Sequence, residues 1–368
     1  MLPQYGRLGY SIFLRMEHRL KKTVVKVMHI RELIYFQVRN LNKEEPREFN
    51  YLHKKGMDNQ SFVTDFQLLG YSDILALRIL TFGGFLLIYL AALIGNLLMI
   101  TVVILNPHLQ TPMYFFLVNL NIVDLSFISV TVPKAMANSV INTRRISYYA
   151  CMAQVFFFFW AGASEFLLLT LMAYDRYVAI CNPLNYVKEM NRETCLKMAT
   201  SAWIFGFFDA SLNTACTFTI TFCSNKINQF FCEIPQLLKL SCSSSSYLIE
   251  LGPLVFTVLI CVGCFSFTVI SYVYIFRAVF IIPSVEGKKK AFSTCLPHLA
   301  VLCLFYFTGV YACLGTMFRT SSGLDLLLAV LYSMVPPFMN PIIYSMRNKE
   351  ITTALWKLSH KTRNMISV

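Results

Sequence analysis

The chain has 368 residues, of which 56% are hydrophobic and only 14% charged, with 32 Phe. About a quarter of a globular chain is charged, so this apolar load excludes a soluble domain; runs of roughly 20 apolar residues that cross a bilayer explain it. The formal charge of +13 raises nucleic acid as a partner, but the basic residues lie between apolar runs or in the N-terminal stretch and form no basic face, so membrane flanks account for them and nucleic acid is set aside.

In chain order, residues 1–56 come first, with twelve Lys or Arg against five Asp or Glu. Their longest uncharged apolar run, Leu33–Val38, is too short for the 7–15-residue core of a signal peptide. They read as a basic N-terminal extension, either a disordered tail or sequence upstream of a native start at Met57, and no function is assigned to them. Residues 57–80 read as an extracellular segment, in which Asn59-Gln60-Ser61 is an N-glycosylation acceptor. From Thr81 to Leu105 no charge occurs, which marks the first span. Six more follow at Met113–Val132, Met152–Ala173, Met198–Ala215, Leu251–Phe276, Phe292–Phe318 and Leu326–Met346. Residues 81–346 are therefore expected to form a seven-helix bundle, since in lipid a helix satisfies its own backbone. Gly252-Pro253, Pro297 and Pro336-Pro337 interrupt spans, breaks that neighbouring helices can absorb.

Orientation follows from the basic residues near span ends. From Met57 onward seven Lys or Arg fall in the predicted outer loops and thirteen on the opposite side. This predicts an extracellular N-terminus and a cytoplasmic C-terminus at the plasma membrane. Cys151, Cys223, Cys232 and Cys242 then lie outside, where oxidation makes disulfides, though sequence does not fix which pair with which. No CxxC or HExxH motif occurs, and no metal site is expected.

Asp124 and Glu165 lie deep in the second and third spans. A carboxylate at that depth is expensive and faces partners in the bundle interior; Asn96, Asn340 and Ser126 are the candidate partners. The two readings are a cation- or proton-linked switch core and a neutral acid that only tightens packing. Arg176 follows Glu165 by eleven residues, three turns or roughly 16 Å along a helix, at the inner mouth. By itself it could simply anchor topology.

Five ordered motifs narrow the reading. Met172-Ala173-Tyr174-Asp175-Arg176-Tyr177-Val178-Ala179-Ile180-Cys181 resembles the inner end of the third helix of odorant receptors, and Leu109-Gln110-Thr111-Pro112-Met113-Tyr114 their first inner loop. Lys290-Ala291-Phe292-Ser293-Thr294-Cys295-Leu296-Pro297-His298-Leu299 resembles the entry to the sixth helix. Ser271-Tyr272-Val273-Tyr274-Ile275 and Pro337-Phe338-Met339-Asn340-Pro341-Ile342-Ile343-Tyr344 resemble the fifth and seventh helices. The chain from Met57 onward is thus similar to the class II, tetrapod-type odorant receptors of the rhodopsin-like G-protein-coupled family. Two departures stand out: Cys223 and Cys232 are nine apart where about ten is usual, and Phe307 follows Tyr306 where many relatives carry Gly.

The resemblance implies an all-α, rhodopsin-like bundle of seven transmembrane helices with a short cytoplasmic helix and tail over 347–368. It implies disulfides Cys151–Cys232 and Cys223–Cys242. It places Phe158, Phe159, Gly162, Ala163, Phe256, Ile260, Tyr306 and Gly309 around a pocket for small, largely apolar odorants, each aromatic having a plainer role as packing bulk. It implies an activation and G-protein-coupling set of Asp175, Arg176, Tyr177, Tyr272, Lys290, Asn340, Pro341 and Tyr344, and an intramembrane polar site of Asn96, Asp124, Glu165 and Asn340. Phe158 stands where amine receptors place their counter-ion, and the seventh span has no Lys for a retinal Schiff base, so aminergic and light-sensing roles fail and no cofactor is expected. The implied partners are an odorant, a stimulatory, olfactory-type heterotrimeric G protein that raises cAMP, and the bilayer. A channel or transporter is the alternative, but it needs a polar path or inverted repeats that the sequence does not display. A membrane enzyme would need a nucleophile–base or metal cluster, and none is evident.

Overall fold

A computed structural model of the chain describes residues 63–68, 74–141, 143–242, 246–318, 323–347 and 350–356. The extension 1–56, the glycosylation acceptor Asn59 and the tail 357–368 lie outside the described residues. Among the described residues seven long helices make the frame: α1 Leu75–Leu105, α2 Pro112–Ile141, α3 Tyr148–Cys181, α4 Arg192–Phe218, α5 Ser246–Ile281, α6 Val285–Phe318 and α7 Gly323–Arg347. Each predicted span falls inside one of them. Residues 350–356 form a further short helix after α7.

α3 and α4 begin before their apolar runs, at polar caps. Ser147 accepts a hydrogen bond from the Ala150 amide and opens α3; Asn191 accepts one from the Thr194 amide and opens α4. α1, α2 and α3, with Gly252–Ile281 of α5 and Val285–Phe307 of α6, are long and apolar enough to cross a membrane. Their outer faces agree: Leu80 and Leu87 on α1 are each 71% exposed. In water each such leucine would forgo about 1.5–3 kcal/mol of burial, and a surface of them belongs in lipid. Phe307, the departure from the usual glycine, also points outward at 76% exposure and leaves the bundle interior undisturbed.

Helix contacts turn on proline and glycine. Pro341 has no N–H, so the carbonyl of Pro337 one turn earlier loses its helical donor. Asn96 of α1 supplies it, donating from Nδ2 to Pro337 O at 2.9 Å. The adjacent Gly95 makes room, because a Cβ there would stand 3.2 Å from Pro341 Cβ. Between α3 and α4 a Cβ at Gly206 would collide with Ser164, so glycine sets how closely those helices approach. Trp203 of α4 then donates from Nε1 to Asn119 Oδ1 of α2 at 3.0 Å, and Trp160 of α3 donates to Trp203 O at 3.2 Å.

The fold is the expected all-α bundle, with one small element added to it. Three short strands, β1 Asp65–Leu68, β2 Arg145–Ser147 and β3 Lys226–Ile227, form a sheet in the order β2-β1-β3, antiparallel between β1 and β2 and parallel between β1 and β3. Alternation along β1 buries Phe66 and Leu68 completely or nearly so. They join Ile146, Phe222, Ile227 and Leu237 in a second apolar core around Cys151 and Cys232. Those two cysteines are bonded, Cα atoms 5.6 Å apart, as are Cys223 and Cys242 at 4.9 Å. The segment before α1 therefore closes a lid over the disulfide end of the bundle.

Phe66→Ala removes the central ring of this lid, a core truncation worth about 3–5 kcal/mol. Hydrogen exchange over 220–240 is expected to accelerate while exchange in α2 and α3 holds; uniform acceleration or none would contradict a separate lid core.

Candidate functional site

α3 carries the candidate site from end to end. At its middle, Asp124 of α2 and Glu165 of α3 are both buried and share one donor on α7. Asn340 Nδ2 lies 3.2 and 2.9 Å from the two Asp124 oxygens and 3.5 Å from Glu165 Oε1. Among the described residues Asn340 Oδ1 and the Tyr344 hydroxyl, both buried, have no hydrogen-bond partner. Asn96 sits beside this centre rather than in it, its amide spent on Ala92 O and Pro337 O. Ser126 is a correction: its hydroxyl donates to Ile122 O on its own helix at 2.9 Å. Two residues from Asp124, it points to the other side of α2, since adjacent positions differ by roughly 100°.

One turn beyond Glu165 the helix meets His298 of α6, fully buried. His298 Nε2 lies 3.0 Å from Leu169 O; that carbonyl can only accept, so Nε2 donates. In the neutral ring Nδ1 then accepts from the Tyr272 hydroxyl of α5 at 2.6 Å. One imidazole thus ties α3, α5 and α6 together.

At the far end Arg176 is paired with Asp175, Nε donating to Oδ2 at 2.9 Å and Nη2 engaging the same oxygen. The other oxygen, Oδ1, accepts from the Tyr186 hydroxyl at 2.8 Å. Tyr186 belongs to a one-turn helix, Tyr186–Glu189, just past α3. Burial, with the Asp175 carboxylate beside it, pushes the Tyr186 phenol well above its ordinary range, so it stays a donor. Glu189 accepts from Tyr174 at 3.1 Å and from Asn182 at 3.1 Å, which fixes that turn. Tyr177 packs away from the pair, against Tyr174 and Tyr274. Lys290 is exposed on α6.

Toward the disulfides the residues expected to line a pocket divide among neighbouring clusters. The Phe158 ring lies 4.7 Å from Phe127, 5.8 Å from Phe231 and 5.9 Å from Tyr332; a Cβ on Gly162 would stand 3.8 Å from Phe127. Phe159 packs against the lid core, and Ala163 is half-buried. Phe256 and Ile260 of α5 pack with Phe166, Leu167, Phe205 and Leu212. Tyr306 of α6 sits between Phe166 at 4.9 Å and Phe265 at 4.7 Å, so Phe166 links it to the Phe256 group. Gly309 falls in a stretch of α6 whose surroundings lie outside the described residues.

The sequence model of the olfactory receptor family matches residues 85–361 of this chain. The chain belongs to the olfactory receptor family. Human olfactory receptors 14I1 and 14A16 are each 48% identical to it over 303 residues, 82% of this chain and 97% of each relative. Human olfactory receptor 14A2 is 46% identical over 307 residues, 83% and 98%. This olfactory receptor is accordingly a multi-pass membrane protein that detects odorants, a receptor and not an enzyme. Sequence reasoning missed Tyr186, the role of His298 and Gln154, which donates to Val130 O at 3.0 Å and accepts from the Cys232 amide at 2.9 Å. A histidine within a span was the available signal for His298; nothing local marked Tyr186 or Gln154.

Asn340→Leu leaves two buried carboxyl groups without their shared donor, at about 1–3 kcal/mol. The purified receptor should melt at a lower temperature than the wild type, and an unchanged melting temperature would remove Asn340 from the polar centre.

Proposed function

We propose that the receptor takes small, largely apolar volatile molecules into the half of the bundle nearer the disulfides and activates a stimulatory, olfactory-type G protein that raises cAMP. The residue-57 end faces outward and the C-terminus faces the cytoplasm. The excess of Lys and Arg at the Arg176 end supports this orientation, as do disulfides confined to the other end. Phe158, Phe159, Gly162, Ala163, Phe256, Ile260, Tyr306 and Gly309 contribute to the pocket. A ligand of ten or so heavy atoms, at about 25 cal/mol per Å² of buried apolar area, binds modestly, which suits reversible sampling of air-borne molecules. No cofactor takes part.

The single observation that carries the coupling is the His298 bridge. Because one ring joins α3, α5 and α6, occupancy that favours a different α6 position must break these contacts together, shifting a closed-to-open equilibrium. α6 then swings outward, Arg176 leaves Asp175 for Tyr272, and Lys290, Tyr177, Pro341 and Tyr344 border the crevice that the G protein enters. Asp124 and Glu165, two carboxyl groups with one amide between them, do not both stay ionised without a proton or a cation between them, and losing it with α6 movement makes the centre part of the switch. Asn59 carries a glycan in the outer segment.

Arg176→Ala tests this reading: with surface expression intact, odorant-evoked cAMP is expected to vanish. A full response in that variant would contradict coupling through α3.

A further inference from the structure

A further buried carboxyl group sits where neither the polar centre nor the switch uses it. Asp209 of α4 is 1% exposed and lies in the half of α4 nearer the disulfides. Its Oδ1 accepts from the Thr257 hydroxyl of α5 at 2.8 Å and from Asn213 Nδ2 at 3.3 Å. The same Asn213 nitrogen lies 3.1 Å from Thr257 Oγ1 and 2.9 Å from Asp209 O. The donors of the cluster are thereby engaged. What remains is one-sided: among the described residues Asp209 Oδ2 and Asn213 Oδ1 are buried without a partner; the amide oxygen only accepts, and so does the carboxyl oxygen once it is ionised. Asn213 is fully buried, its free oxygen on the same amide whose nitrogen touches Asp209. Asp209 forms no ion pair among the described residues. A carboxylate at this depth requires compensation.

The surroundings define what can supply it. Phe205 and Leu212 stand four residues before and three after Asp209 on α4, and Ile260 stands three after Thr257 on α5, so each helix presents them on one face; these apolar residues pack together with Phe256, the Phe205 and Phe256 rings being 6.1 Å apart. The unsatisfied acceptors therefore border the apolar wall assigned to the odorant. We propose that Asp209, Asn213 and Thr257 form an ammonium subsite of the odorant pocket, so that this receptor favours small amines over neutral molecules of the same carbon skeleton. The inference rests on the proposed odorant pocket and names its ligand class. An ammonium group offers three donors to the two orphan acceptors, its charge meets the carboxylate, and its carbon body lies on Phe256 and Ile260. Phe158 offers no counter-ion from α3; here the carboxylate comes from α4.

The test uses the full-length purified receptor and two probes of equal shape, cyclohexylamine and cyclohexanol, with melting temperature as readout. The amine is expected to half-saturate its stabilising effect at a concentration about tenfold lower than the alcohol, the ratio for roughly 1.4 kcal/mol. Asp209→Asn should abolish that ratio and keep the alcohol's effect; should it fold poorly, Thr257→Val should weaken the ratio instead. Equal potency of the two probes, no shift with either, or a ratio that survives Asp209→Asn overturns the proposal. So does an Asp209-dependent shift with sodium chloride over N-methylglucamine chloride, which assigns the oxygens to an inorganic cation. Odorant-driven nucleotide exchange by neutral volatiles reports the broader receptor function separately, and its persistence in Asp209→Asn isolates a failure of the subsite alone.

Discussion

Inside a bilayer no water waits to take up a stray hydrogen bond, and an unmet polar group there costs several kcal/mol. That constraint organises this receptor. Asn96 reaches across from α1 to the Pro337 carbonyl that Pro341 leaves without a donor. Trp203 spans α4 to Asn119 of α2, and Gln154 joins α2, α3 and the disulfide loop through one amide. At Pro337 a bond lost within one helix is made good by a neighbour, and with the other cross-helix bonds it ties the packing together.

The same constraint yields a device that can switch. Along α3 the polar groups form successive levels: Glu165 with Asn340 and Asp124, Leu169 O with His298 and Tyr272, then Asp175 with Arg176 and Tyr186. Every level joins α3 to a different element. In the proposed mechanism a change in α6 passes from one set of partners to the next, and this is the route by which a small ligand near Phe158 or Tyr306 would reach Arg176 at the other end of the helix.

Much of this was legible in the sequence because lipid imposes long, charge-free runs such as Thr81–Leu105, and because the motifs around Arg176, Tyr272 and Asn340 are specific. The strand Asp65–Leu68 was not, since four residues carry too little pattern and its partners lie far away at Arg145–Ser147 and Lys226–Ile227. Ser126 was misplaced because proximity in sequence to Asp124 says nothing of helical face. His298 stood in plain view within a motif, but a lone histidine in an apolar run reads as packing until its two nitrogens are given partners. The pocket was the least legible part: Phe158, Phe159 and Phe256 are alike as letters, yet one joins loop aromatics, one the lid and one the α4–α5 seam.

The central claim is that the His298 contacts hold α6 against α3 until an odorant releases them. Spin labels at Val187→Cys and Val285→Cys, both exposed positions, with the exposed Cys303 replaced, report the separation of the one-turn helix past α3 from the start of α6. The account predicts a longer distance with an odorant that drives nucleotide exchange, and the same lengthening without odorant in His298→Phe. An unchanged distance in both cases while nucleotide exchange rises would contradict it.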